Sequence, residues 1–183
     1  AAAGLKAPKT LEELEAAAKK LHNPPSVYGF VARGRKTQAP YTWSHWLYAN
    51  GGSWLTPDGK PGINTPAGIA AAQQYARLLR TYGEPGVTDS GPIEVQSHFL
   101  QGRAAMILDA VSWGGIFNDP QKSKVVGKWE GALAPRGPGG VTYELWAWGL
   151  GVSPFSEKKK AAWLFLQWAT SKQIQKPLHL RSF

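Results

Sequence analysis

Helix patterns that carry their own start and stop signals alternate along this chain with short apolar runs, and that alternation most narrows the folds open to it. Thr10 followed by Glu13 reads as a capping box, with Leu11, Leu14, Ala17, Ala18 and Leu21 on one face and Asn23-Pro24-Pro25 ending the pattern. Residues 28–32 alternate loosely as a short strand, and 33–40 read as a polar loop. The aromatic stretch 41–49 closes on Asn50-Gly51-Gly52, which resembles a helix ending in a left-handed glycine cap. After a turn cluster at 57–62, Thr65 with Pro66 starts a clear helix, its expected inner face made by Ile69, Ala72, Ala76 and Leu79, and Gly83 stops it.

A short helix over 90–101 closed by Gly102, a buried strand at 104–108, a Pro/Gly connector at 135–140 and a second apolar run at 145–152 follow. Ser156 is expected to cap a last helix carrying Ala162, Phe165, Leu166 and Ala169. The alternation predicts an α/β domain with a parallel or mixed sheet covered by helices.

A length of 183 residues suits one well-cored domain or one lobe of something larger. Hydrophobic residues at 43% and charged residues at 18% exclude a disordered segment. The chain has no cysteine, which removes disulfides, thiol nucleophiles and cysteine metal sites together and says little about compartment. No run approaches the roughly eighteen apolar residues of a membrane span, and the start lacks a signal-peptide pattern, so if the protein is exported its signal is expected to have been removed or to lie outside this chain. The net charge of +9 raises nucleic acid as a partner, but apart from Arg33-Gly34-Arg35-Lys36 and Lys158-Lys159-Lys160 the basic residues are scattered, so no nucleic-acid partner is expected.

The nine tryptophans are unusual, and Trp43, Trp46, Trp146 and Trp148 stand in polar or Gly-rich contexts without a helical core stripe. An indole offers a flat apolar face with one donor at its edge, which suits the C–H faces and hydroxyl rims of sugars and polyols; core packing is the alternative for each.

These segments resemble the extracellular solute-binding proteins of family 1, the group containing the maltose-binding protein. "AGLKAPKTLEELEAAAKKL" is similar to the opening of the family's second lobe, with Leu11 where tryptophan is common. "YANGGSWLTPDGKPGINTPAGIAAAQQYARLL", "FLQGRAAMILDAVSW", "GALAPRGPGG" and "WGLGVSPFSEKKKAAWLFLQWATSKQIQ" follow in the family's order. "SKVVGKWEGALAP" with the last segment is most similar to the branch associated with mannitol and sorbitol uptake.

The resemblance implies a type II periplasmic binding protein-like lobe, a mixed sheet flanked by helices. It makes residues 1–142 the second lobe, and 143–183 an interlobe crossover strand and helix that would pack on a first lobe absent from this chain. In that setting the helix near 157–171 is expected to fold back on its own lobe, join a second copy as a homodimer, or pair with a separately supplied lobe. It also implies reversible binding of a sugar or polyol in the interlobe cleft, permease and ATPase subunits as partners of the parent protein, no cofactor, no metal and no catalytic residue. The expected location is periplasmic or extracellular, membrane-tethered if the parent is lipidated.

By the same resemblance Tyr41 and Trp113 are aromatic contacts of the ligand site; Trp43, close to Tyr41 in sequence, is a third candidate. Trp146 and Trp148, on one side of the crossover strand, either line the pocket or seal the interface with the first lobe. Asp109 and Glu144 are candidate acceptors for ligand hydroxyls, with a salt bridge the alternative for each. His45 and Arg33 could each hydrogen-bond a ligand, but a solvent-facing side chain is the preferred reading for both. A carbohydrate-active enzyme could use Asp109 and Glu144 as acid and base, yet no phosphate loop, nucleophile elbow or metal cluster accompanies them. An isolated lobe that binds nothing and serves as a folding module is a further alternative.

Overall fold

Thr10 starts the first helix as its neighbours require: its Oγ1 accepts the Glu13 N–H at 3.2 Å at the head of α1 (Leu11–Leu21). The Glu13 carboxylate reaches past the cap to the Lys9 N–H at 2.7 Å, so the box closes one residue outside its usual place. The computed structural model describes residues 4–141 and 149–180.

The second helix, α2 (Ala39–Ala49), begins two residues before the aromatic stretch, with Pro40 in its first turn where a missing N–H is harmless. It ends as the Asn-Gly-Gly signal requires. Gly51 sits at φ 80°, its N–H donates to the Tyr48 carbonyl at 2.8 Å, and the Gly52 N–H donates to Leu47 at 2.9 Å.

The third, α3 (Pro66–Tyr82), starts at the Thr65 cap but is rotated relative to the expected face: Gly68, Ala71, Tyr75, Leu78 and Leu79 are buried, and Ile69 is half exposed. Tyr75 decides the rotation. Its ring lies 4.7 Å from Trp46, and burying that large ring with its hydroxyl bonded outweighs covering Ile69.

Extended segments run through the middle of these helices. Residues 28–31 pair in parallel with 104–107, the Tyr28 N–H donating to Arg103, the Ala105 N–H to Tyr28 and the Val31 N–H to Met106. A separate parallel bridge joins Thr10 to Arg136, and the antiparallel bridges close local turns. Among the described residues the pairing between segments is thus parallel and narrow, made of isolated bridges. On the other side of the 28–32 segment α3 takes the place of a strand, the Phe30 N–H donating to the Tyr82 carbonyl and the Tyr75 hydroxyl to the Arg33 carbonyl.

Alternation sends Phe30 and Ala32 into a core with Leu11, Leu14, Ala18, Trp46, Leu47 and Leu78, and Val31 into a second core with Val95, Ala104 and Phe99. The helix α4 (Pro92–Leu100) therefore covers one face and α1 to α3 the other, the layered α/β arrangement predicted. Gly29 lets α1 approach closely, since a Cβ there would lie 2.2 Å from the Ala18 carbonyl oxygen.

The 135–140 connector docks on α2. His45, expected at the surface, is buried, and its Nε2 bonds to the Pro135 carbonyl at 2.8 Å. Its ring meets that of Trp46 edge-on at 5.5 Å.

Beyond Asp109, a one-turn helix at Val111–Trp113 leads into α5 (Gly114–Phe117). Near the end, α6 (Lys159–Ala169) begins three residues after Ser156, which caps no helix; its Oγ accepts the Lys158 N–H in the preceding turn. A further helix, α7 (Lys172–Leu180), lies against α6 and was not foreseen. No residue of α6 is buried: Trp163, Leu164 and Trp168 are 57% exposed and Phe165 58%. Among the described residues, α6 therefore does not fold back to bury this face on its own lobe.

Candidate functional site

The register of the parallel pairing builds the site. Tyr28 faces Ala104 and Val31 faces Ile107 at one constant offset, and the same offset of 76 sets Arg33 against Asp109 just past the carboxyl ends of both segments. In open α/β sheets that end is where ligands bind.

Arg33 and Asp109 meet as a two-pronged ion pair, Nε to Oδ2 at 2.8 Å and Nη2 to Oδ1 at 2.5 Å. The Asp109 side chain is only 2% exposed and the Arg33 side chain 16%, so the pair is screened from water on most sides. Asp109 Oδ1 also accepts the Ala110 N–H at 2.7 Å, and Arg33 Nη1 donates to Gln38 Oε1 at 3.3 Å.

The guanidinium carbon stands 5.7 Å from the centre of the Tyr41 ring and 5.9 Å from that of Trp113, cation–π range for both. Behind it, the Tyr75 hydroxyl donates to the Arg33 carbonyl at 2.8 Å and lies 3.1 Å from Thr42 Oγ1. Burial pushes the Tyr75 phenol far above its ordinary range, so it stays a neutral donor.

Trp113 is itself backed by rings: Phe117 lies 6.3 Å away edge-on and packs against Phe99 at 4.6 Å and Trp129 at 5.4 Å. The result is an arginine held flat by a carboxylate, flanked by two aromatic side chains on rigid supports. The described bonds use its Nε edge and one Nη1 hydrogen, leaving guanidinium hydrogens for an oxygen of a ligand. Among the described residues, no group of histidine, cysteine and carboxylate side chains could hold a metal ion.

Three of the residues singled out by sequence, Tyr41, Trp113 and Asp109, thus come together. Trp43 does not join them; its ring packs edge-on against Trp54 at 5.2 Å beside the main core. Glu144, Trp146 and Trp148 lie outside the described residues. Asp109 takes the salt-bridge alternative, with both oxygens on Arg33. Arg33, which sequence reasoning set aside, is the centre of the group. Its signal was available: an arginine and an aspartate each directly follow an apolar run, and two parallel strands in register bring such residues together.

Residues 1–176 match the family model for bacterial extracellular solute-binding proteins. The chain is 30% identical over 181 residues to a mannitol-binding protein of Pseudomonas aeruginosa, covering 95% of this chain and 41% of that one. Two solved structures superpose on it closely. One is an ABC transporter solute-binding protein of Agrobacterium radiobacter in complex with ribitol (TM-score 0.85, 36% identity, 99% of this chain and 47% of that one). The other is a solute-binding protein of Agrobacterium vitis with bound D-mannitol (TM-score 0.84, 31% identity, 97% and 44%). The chain therefore spans less than half the length of these relatives, and its fold is that of a lobe of a type II periplasmic binding protein. With the family model matched along nearly its whole length, the chain belongs to the bacterial extracellular solute-binding proteins.

Proposed function

We propose that this chain forms one wall of the ligand cleft of an ABC importer's binding protein and takes a polyol or sugar reversibly, without a chemical step. The observation that carries the reading is the Arg33 guanidinium, fixed by Asp109 and flanked by Tyr41 and Trp113 at the carboxyl ends of two parallel segments. Guanidinium N–H groups donate to hydroxyl oxygens while aromatic faces cover C–H surfaces, the two chemistries an acyclic or cyclic polyhydroxyl compound presents together. That relatives of this chain carry ribitol and D-mannitol narrows the ligand class to polyols first.

In this reading residues 1–142 are the second lobe, and 143–183 cross to a first lobe that supplies the opposite wall. Trp146, Trp148 and Glu144 would then stand at the crossing. The uncovered apolar side of α6 supports the division, since a face of that composition calls for a partner. Closure of two lobes on the ligand would set the affinity, and a permease and ATPase would receive the closed form. The protein would work outside the cytoplasmic membrane, tethered there if its parent carries a lipid.

Calorimetric titration with ribitol, mannitol, sorbitol, glucose and maltose tests this, on the chain alone and with a first lobe supplied. Saturable heat from a polyol in either case supports the reading. Silence toward the whole panel in both cases removes it, and release of a product from a glycoside would replace it with an enzyme.

A further inference from the structure

The turn that carries Arg33 out of the sheet is held from behind by the loop that follows α3. The Ser90 carbonyl accepts two consecutive backbone N–H groups, those of Gly34 and Arg35, each at 3.0 Å. Gly34 lies so close to this loop that a Cβ on it would stand 2.1 Å from the Val87 carbonyl oxygen. The Arg35 guanidinium adds bonds to the Asp89 carbonyl and to Glu94.

Ser90 is in turn anchored by a buried carboxylate. Its hydroxyl donates to Glu84 Oε1 in a short bond; Ser90 is 4% exposed and Glu84 5%. The other Glu84 oxygen is buried with no hydrogen-bond partner among the described residues. A carboxylate is costly to bury with a single donor, so it is out of place as mere filling.

We propose that Glu84 and Ser90 form a latch that positions Arg33, acting through the Ser90 carbonyl on the Gly34 and Arg35 amides; this rests on the reading of Arg33 as a ligand contact. The residue that touches ligand is Arg33, and Ser90 and Glu84 set where its backbone sits. Without the anchor the Ser90 carbonyl is free to shift, and the Arg33 fork loses its fixed origin although Asp109 is unchanged.

The test compares the Arg33 Nε–H signal in nitrogen-15 NMR spectra of the chain, Ser90→Ala and Glu84→Gln, with the signal assigned by its loss in Arg33→Lys. The latch requires that Ser90→Ala shift this signal and speed its hydrogen exchange by about tenfold. Glu84→Gln, which keeps the acceptor for the Ser90 hydroxyl, should restore the parent behaviour. If Ser90→Ala does not fold, Glu84→Ala, which removes the anchor and keeps the Ser90 hydroxyl, carries the same comparison.

A lowered melting temperature with an unmoved Arg33 signal would overturn the latch and leave only a structural role. Where the parent binds a polyol, Ser90→Ala should also weaken binding by about tenfold, and unchanged affinity counts against the proposal. A parent that binds no polyol defeats the proposed function alone, because the Arg33 signal still decides the latch.

Discussion

Arg33 stands at the centre of the candidate site, its guanidinium held by both oxygens of Asp109. Within Arg33-Gly34-Arg35-Lys36 it reads as part of a solvated basic run, and only the pairing register reveals that its neighbour across the sheet is Asp109. Tyr41 and Trp113, which family resemblance supplied residue by residue, stand beside its guanidinium. Trp43, chosen for its nearness to Tyr41 in sequence, turns its ring to Trp54 instead. The planar fork and not the charge is what the site uses, so Arg33→Lys should keep the charge yet weaken polyol binding at least about tenfold, read by calorimetry. Equal affinity in the lysine variant would reduce Arg33 to a charge.

At the scale of elements, start and stop signals were the most legible part of the chain. The Thr10 and Thr65 caps and the Gly51 and Gly102 ends all appear where their chemistry puts them, because each depends on a few adjacent residues. Rotation of a helix about its axis is a tertiary matter, and the face of α3 was misread because Tyr75 finds its partners on α2 and the sheet. Leu47, fully buried in the last turn of α2, should cost about 2–5 kcal/mol when replaced by alanine, measured by denaturant unfolding.

A surface tie joins α1 to α3: Arg77 meets the Glu15 carboxylate through two bonds of 2.9 and 2.7 Å, and that hydrogen bonding holds the Glu15 pKa below its ordinary 4.5. A depressed carboxylate contributes stability above its unfolded value that is lost as pH falls through the lower folded value. Both side chains are partly exposed, so Glu15→Gln should cost only about 0.5 kcal/mol at pH 7, fading to nothing well below 4.5. A loss that persisted in acid would mean that the tie works through packing.

For the molecule as a whole, the layered α/β lobe follows from alternating elements, whereas the apolar side of α6 does not explain itself within the described residues. Its tryptophans Trp163 and Trp168 stand exposed on α6 while Trp113 packs beside Arg33, which lets one observable separate ligand binding from lobe docking. The measurement to make is the set of tryptophan indole N–H signals in nitrogen-15 NMR spectra as ribitol or D-mannitol is added, with a first lobe present and Trp113→Phe used for assignment. Binding at the Arg33 group moves the Trp113 signal saturably and leaves Trp43 where it was. A saturable shift confined to Trp43, or to Trp163 and Trp168, with Trp113 unmoved, would contradict the site described here.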